Sequence, residues 1–100
     1  MNNINLTNAI SVSSRQAYQI LVNSRGHFFR ATFTKKSDGS ERDIVCRIGV
    51  KKHRAGGDLP YNPATKLHVI VWDAAIGEYR TIPCENLIGF RLDGITYRIW

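Results

Sequence analysis

The apolar positions of this 100-residue chain change period once, at Gly26–His27. Before that point Ala17, Tyr18, Leu21 and Val22 recur at helical spacing, with Ile20 at the edge of the stripe. Ser13 and Ser14 are N-cap residue types, and Ser13 with Gln16 fits a capping box. Arg25 suits the negative end of a helix, and Gly26 is placed to adopt the left-handed conformation that stops one. The pattern predicts a helix over 13–25, about three turns long. Residues 1–12 have weak periodicity, and the Asn-rich first ten carry no charged side chain, so they are expected to form a loosely held arm.

From His27 onward the period is two. Phe29, Ala31 and Phe33 fall on one face, and Arg30, Thr32 and Thr34 on the other. Asp38-Gly39 follows, a strong hairpin signal because such a turn needs positive φ. Alternation resumes with Ile44, Cys46 and Ile48 inward and Asp43, Val45 and Arg47 outward. Residues 49–65 hold glycines and prolines and show no alternation, and a connection this long inside a small domain is often functional. Leu67, Val69 and Val71 then oppose His68, Ile70 and Trp72, so both faces of that strand are partly covered. A turn at Asp73–Gly77, a strand over 78–82, a break at 83–87 and a hairpin around Asp93-Gly94 complete the chain. One helix followed by five or six short strands over 27–100 predicts one mainly β domain, α+β by count. Its antiparallel sheet is strongly bent, and closing it into a barrel would remove exposed edges.

Composition bounds the class. With 43% hydrophobic and 22% charged residues, the chain is globular rather than collagenous, coiled-coil or disordered. The start lacks the basic and apolar regions of a secretory signal, and no apolar run approaches a membrane span, so no membrane partner is expected. Cys46 and Cys84 lie far apart in apolar stretches, which reads as two reduced core thiols in a cytoplasmic protein.

Charge changes the picture further. Fourteen Lys plus Arg against eight Asp plus Glu give a formal charge of +6, which favours an anionic partner. Residues 67–100 carry three cations and four carboxylates, so the surplus belongs to the first two-thirds of the chain. Its densest segment opens the long connection, where Arg47, Lys51, Lys52 and Arg54 stand with His53 and no acid. These side chains suit phosphate contacts, and nearby Tyr61 is a stacking candidate; Arg30, Arg42 and Arg80 are outer contributors.

Other chemistry finds no support in the spacing. His27, His53 and His68 with Cys46 and Cys84 form no close ligand pair, so no metal is expected. The glycines and lysines of residues 49–58 lack the Gly-Lys-Ser/Thr ending of a nucleotide-binding loop. Asp73, Glu78, Glu85 and Asp93 sit at turns, where Asp in particular bonds locally, rather than as a carboxylate pair for catalysis. No catalytic residue and no cofactor is expected, and the chain is read as a non-enzyme.

Several runs carry a family resemblance: Thr34-Lys35-Lys36-Ser37-Asp38-Gly39-Ser40-Glu41-Arg42, Arg47-Ile48-Gly49-Val50-Lys51-Lys52, Gly56-Gly57, Val71-Trp72-Asp73, Gly77-Glu78-Tyr79-Arg80-Thr81-Ile82 and Gly94-Ile95-Thr96-Tyr97. Over residues 25–99 the chain resembles the small phage-associated WYL-like proteins. That resemblance implies an Sm-like, SH3-type β-barrel and a phage or prophage setting, hence the cytoplasm of an infected or lysogenic bacterium. No consecutive Trp-Tyr-Leu is present, so ligand residues of full-length WYL regulators do not carry over. The combined expectation is a phage-derived module binding nucleic acid or a nucleotide through the basic loop. The alternative is a phage protein that binds and inhibits or redirects a bacterial host defence protein, with homo-oligomer formation through open strand edges as a variant.

Overall fold

In the computed structural model, residues 5–49 and 63–100 are described. Helix α1 runs Ser14–Val22 and starts on the expected capping box. The Ser13 hydroxyl accepts from the Gln16 amide at 3.1 Å, and the Gln16 side chain accepts from the Ser13 amide at 2.8 Å. The helix ends three residues earlier than the predicted Arg25. The Ser24 amide and hydroxyl both donate to the Leu21 carbonyl, at 3.2 and 2.6 Å, and turn the chain away. Arg25 and Gly26 then take left-handed φ values of 58° and 77°, so Gly26 bends the chain as expected but Arg25 lies outside the last turn.

The strands are β1 (Ile10–Val12), β2 (Phe29–Thr34), β3 (Glu41–Arg47), β4 (His68–Asp73), β5 (Glu78–Pro83), β6 (Leu87–Leu92) and β7 (Ile95–Ile99). They form one seven-stranded sheet in the order β1-β7-β6-β2-β3-β4-β5. Two expectations are corrected here. The arm over 1–12 is not wholly loose, because Ile10–Val12 pairs in parallel with β7 and adds a strand ahead of the helix to the six that follow it. Three residues are too few to show a period, and their partner lies at the far end of the sequence. Nor does the sheet close: β1 and β5 are its edges, and among the described residues no ladder joins them.

One face of the sheet carries the core. Phe29, Ala31, Phe33, Ile44, Cys46, Val69, Val71, Ile82 and Phe90 are buried on it. α1 closes over them with Ala17 and Leu21, packing against β4 and the 3-10 turn Cys84–Asn86. Among the described residues β3 and β4 pair at Cys46↔Asp73 and Arg47↔Trp72. Thr32, on the expected polar face of β2, is only 3% exposed. It pairs with Gly89 of β6, where an added Cβ would meet the Tyr97 carbonyl oxygen at 2.7 Å and Leu6 Cδ2 at 2.8 Å. Leu6 thus packs on the face opposite the core, and only glycine fits beneath it. The β6–β7 turn has Asp93 and Gly94 at φ 52° and 80°, the paired left-handed residues of a type I′ hairpin. Among the described residues no helix is long and apolar enough to cross a membrane.

Both cysteines are free and buried, as read from the sequence. Burial pushes the thiol of each up to about 12, and the Asp73 charge adds to the effect at Cys46. Almost no thiolate exists at neutral pH, and the thiolate is the reacting species. Ellman's reagent should therefore leave the native protein unlabelled and titrate both thiols once denaturant is added; rapid labelling without denaturant would contradict this packing.

Candidate functional site

The β2–β3 turn is built by its own sequence. The Lys35 amide donates to Ser40 at 2.8 Å and the Gly39 amide to Lys35 at 2.9 Å. Asp38 Oδ1 accepts from the Ser40 amide and hydroxyl at 2.9 and 2.7 Å. These Ser40 bonds, with smaller help from Lys35 and Arg42, hold the Asp38 carboxyl below its ordinary value. The side chain at Asp38 is therefore committed to the turn, with Lys35 Nζ at a loose 4.0 Å. Lys36 and Arg42 make no ion pair among the described residues.

Across from this hairpin, β4 and β5 pair in full from His68↔Pro83 to Asp73↔Glu78. Val71↔Arg80 places Arg80 on the core face, where its Nε donates to Asp73 Oδ2 at 3.0 Å. Asp73 is 3% exposed, and its Oδ1 accepts from the Ala75 amide at 3.1 Å. A buried carboxylate thus anchors both the β4–β5 turn and the guanidinium. On the other face of β5, Tyr79 packs edge-on against Trp72, with ring centroids 5.0 Å apart.

Between the hairpin and the β4–β5 pair lies a groove of about 320 Å³. Lys35, Lys36, Arg42 and Arg80 line it with Phe33, Tyr79, Thr81 and His68, and no carboxylate is among its described lining residues. Arg42 reaches it because it pairs with inward-facing Phe33 at the end of β3. Partial burial, then the charges of Lys36 and Lys66, hold His68 below the ordinary imidazole value, with Glu85 opposing them. Four cations, a hydroxyl and a phenol ring in one concavity suit a ligand that carries phosphate beside a flat apolar part. Among the described residues no three His, Cys, Asp or Glu side chains gather as a metal site.

Of the residues singled out from sequence, Arg42 and Arg80 meet in this groove. Arg30 and Arg47 do not: Arg30 is held by Asp43 through two hydrogen bonds, and Arg47 lies 5.5 Å over the ring of Phe28. Lys51, Lys52, His53, Arg54 and Tyr61 lie outside the described residues. Lys35, Lys36, Tyr79 and His68 were missed. The signal for the two lysines was present, since a turn at Asp38-Gly39 sets Thr34 against Glu41 and so brings Lys35, Lys36 and Arg42 to one end of the hairpin. No model of a known protein family, no curated protein and no solved structure matches the chain.

Proposed function

We propose that the chain is a non-enzymatic binding module for nucleic acid or nucleotides, seating phosphate among Lys35, Lys36, Arg42 and Arg80. The observation that carries this reading is the convergence of four cations on a concavity that also presents Tyr79. The basic surplus located in the first two-thirds of the sequence supports it, because Lys35, Lys36 and Arg42 belong to that surplus. The proposal extends to setting and fold family. A capped helix ahead of a bent, largely antiparallel sheet supports an Sm-like or SH3-type barrel left open at one seam, as the resemblance to small phage-associated WYL-like proteins implies.

Fluorescence anisotropy with a labelled nucleoside triphosphate and a labelled oligonucleotide, at several salt concentrations, tests the reading. Each phosphate engaged contributes a slope of roughly −0.7 to −0.9 in log affinity against log salt. The variant Lys35→Glu/Lys36→Glu should lose affinity roughly tenfold or more, since charge-assisted hydrogen bonds contribute on the order of 1.5 kcal/mol each. Binding should also tighten on acidification. A bound anion raises the depressed pKa of His68, so the complex takes up a proton at a pH where the free protein is still neutral there. Affinity therefore rises as pH falls toward the acid side of the ordinary imidazole range. Unchanged affinity in the charge-reversed protein would overturn the reading.

A further inference from the structure

The strand registers also order the face opposite the core, because directly paired residues share a side of the sheet. Phe29, Ala31 and Phe33 point into the core together with their partners Phe90 and Ile44. The intervening positions point outward: Arg98 beside Gly89, Arg91 directly opposite Arg30, and Arg47 opposite Trp72. Arg98, Arg91, Arg30 and Arg47 therefore cross β7, β6, β2 and β3 on one diagonal. Arg91 and Arg98 are exposed, and Arg30 and Arg47 are half-buried.

This arrangement is unfavourable for a sheet alone. Like charges directly opposite each other on neighbouring strands repel, and Arg30 faces Arg91 in that way. Asp43 compensates Arg30, whereas among the described residues the partner of Arg91 is the Thr96 hydroxyl at 3.2 Å. Among the described residues Arg91, Arg98 and Arg47 make no ion pair. Four arginines thus share the outward strand positions with two carboxylates, Asp43 and Glu41. The diagonal ends beside an aromatic surface, with Phe28 55% exposed under the Arg47 guanidinium.

We propose that this face binds the backbone of single-stranded nucleic acid, with Arg98, Arg91, Arg30 and Arg47 as successive phosphate contacts and Phe28 as a platform for an unstacked base. Neighbours along the diagonal are about 5 Å apart where directly paired and about 7–8 Å apart where offset. Long guanidinium side chains can turn that spacing into one phosphate each along an extended strand, and the planar fork of arginine matches phosphate oxygens. A duplex keeps its bases stacked inside and offers Phe28 nothing, which favours the single strand. The inference takes its ligand class from the proposed function above but rests on different residues, none of which lines the groove.

The test compares three labelled probes: a nucleoside triphosphate, an oligothymidylate of roughly twelve nucleotides, within the site sizes of single-strand binders, and a duplex of the same length. Arg91→Glu/Arg98→Glu alters two exposed side chains outside the groove. It should weaken oligothymidylate binding at least tenfold and reduce the salt slope by roughly 1.4, about 0.7 for each lost contact. Triphosphate binding in the groove should not change. Unchanged oligothymidylate affinity and slope in this variant would overturn the track, and so would a duplex that binds more tightly than the single strand. Single-strand binding that is lost in Lys35→Glu/Lys36→Glu but intact in Arg91→Glu/Arg98→Glu removes the track and leaves the groove. The converse leaves the track and limits the groove to the triphosphate, whose binding must then fall in Lys35→Glu/Lys36→Glu for the groove to stand; a wild-type protein that binds no probe at low salt removes both.

Discussion

Replacing Phe90 by alanine should lower the unfolding free energy by about 3–5 kcal/mol, the range for truncating a buried phenylalanine. Phe90 is fully buried at the centre of the β2-β6-β7 region, opposite Ala31 on one side and Tyr97 on the other. Its ring stacks on Tyr97 with centroids 4.6 Å apart and planes 20° from parallel. Small Ala31 cannot expand into the space left behind, and the Tyr97 backbone is fixed by its close approach to Gly89. The cavity therefore persists, and the cavity contribution adds to the lost transfer energy. Domains of this size have only about 5–15 kcal/mol in total, so the loss takes from about a fifth to all of the stability. Urea denaturation should show the midpoint falling with an unchanged slope. Phe90→Leu, which refills most of the volume, should cost under half as much. A loss below about 1 kcal/mol for the alanine variant would mean that the sheet collapses onto the site, contrary to the packing described.

How much of this was legible in sequence depended on the range of the interaction. The capping box of Ser13 and Gln16, the Asp38-Gly39 and Asp93-Gly94 turns and the inward set Ile44 and Cys46 are local patterns, and each appears in the structure. β1 was missed because three residues carry no period and their pairing with β7 spans most of the chain. The burial of Thr32 depends on where the N-terminal segment crosses the sheet, which only the contact of Leu6 with Gly89 reveals. Arg42 and Arg80 stand out in the sequence by charge, which does not fix their facing. Their meeting in one groove follows from two registers, Phe33↔Arg42 and Val71↔Arg80, and from the order of strands in the sheet, which no single segment encodes. Arg30 and Arg47 carry the same charge and fall on the opposite face because they stand one position away from core residues Phe29 and Cys46. In strands, a shift of one residue decides which ligand a cation can reach.

The second large effect is expected at Asp73, a turn residue by its sequence pattern that joins the turn to the groove. Its carboxylate is buried, accepting from the Ala75 amide with Oδ1 and from Arg80 Nε with Oδ2. Its carbonyl takes the Gly77 amide at 2.9 Å, closing the β4–β5 turn. Asp73→Ala removes both side-chain acceptors, leaving a guanidinium that is only 28% exposed without its counter-charge. Breaking one side of a buried ion pair costs about 3–5 kcal/mol, and the partial exposure of Arg80 sets the expectation at the lower end, near 3 kcal/mol. Asp73→Asn keeps an acceptor for the Ala75 amide and should fall between the wild type and alanine. A double-mutant cycle with Arg80→Ala separates the two roles. If the ion pair matters, Asp73→Ala costs about 1–2 kcal/mol less once Arg80 is gone, a coupling typical of contacting residues. If the cost is the same in both backgrounds, Asp73 acts through the turn alone, and the positioning of Arg80 in the groove owes nothing to it. The same variants report on the site: without its anchor Arg80 loses its fixed place beside Arg42, so Asp73→Ala should weaken anion binding even though it makes the groove more positive. A gain in affinity would instead show that charge, and not placement, governs the groove.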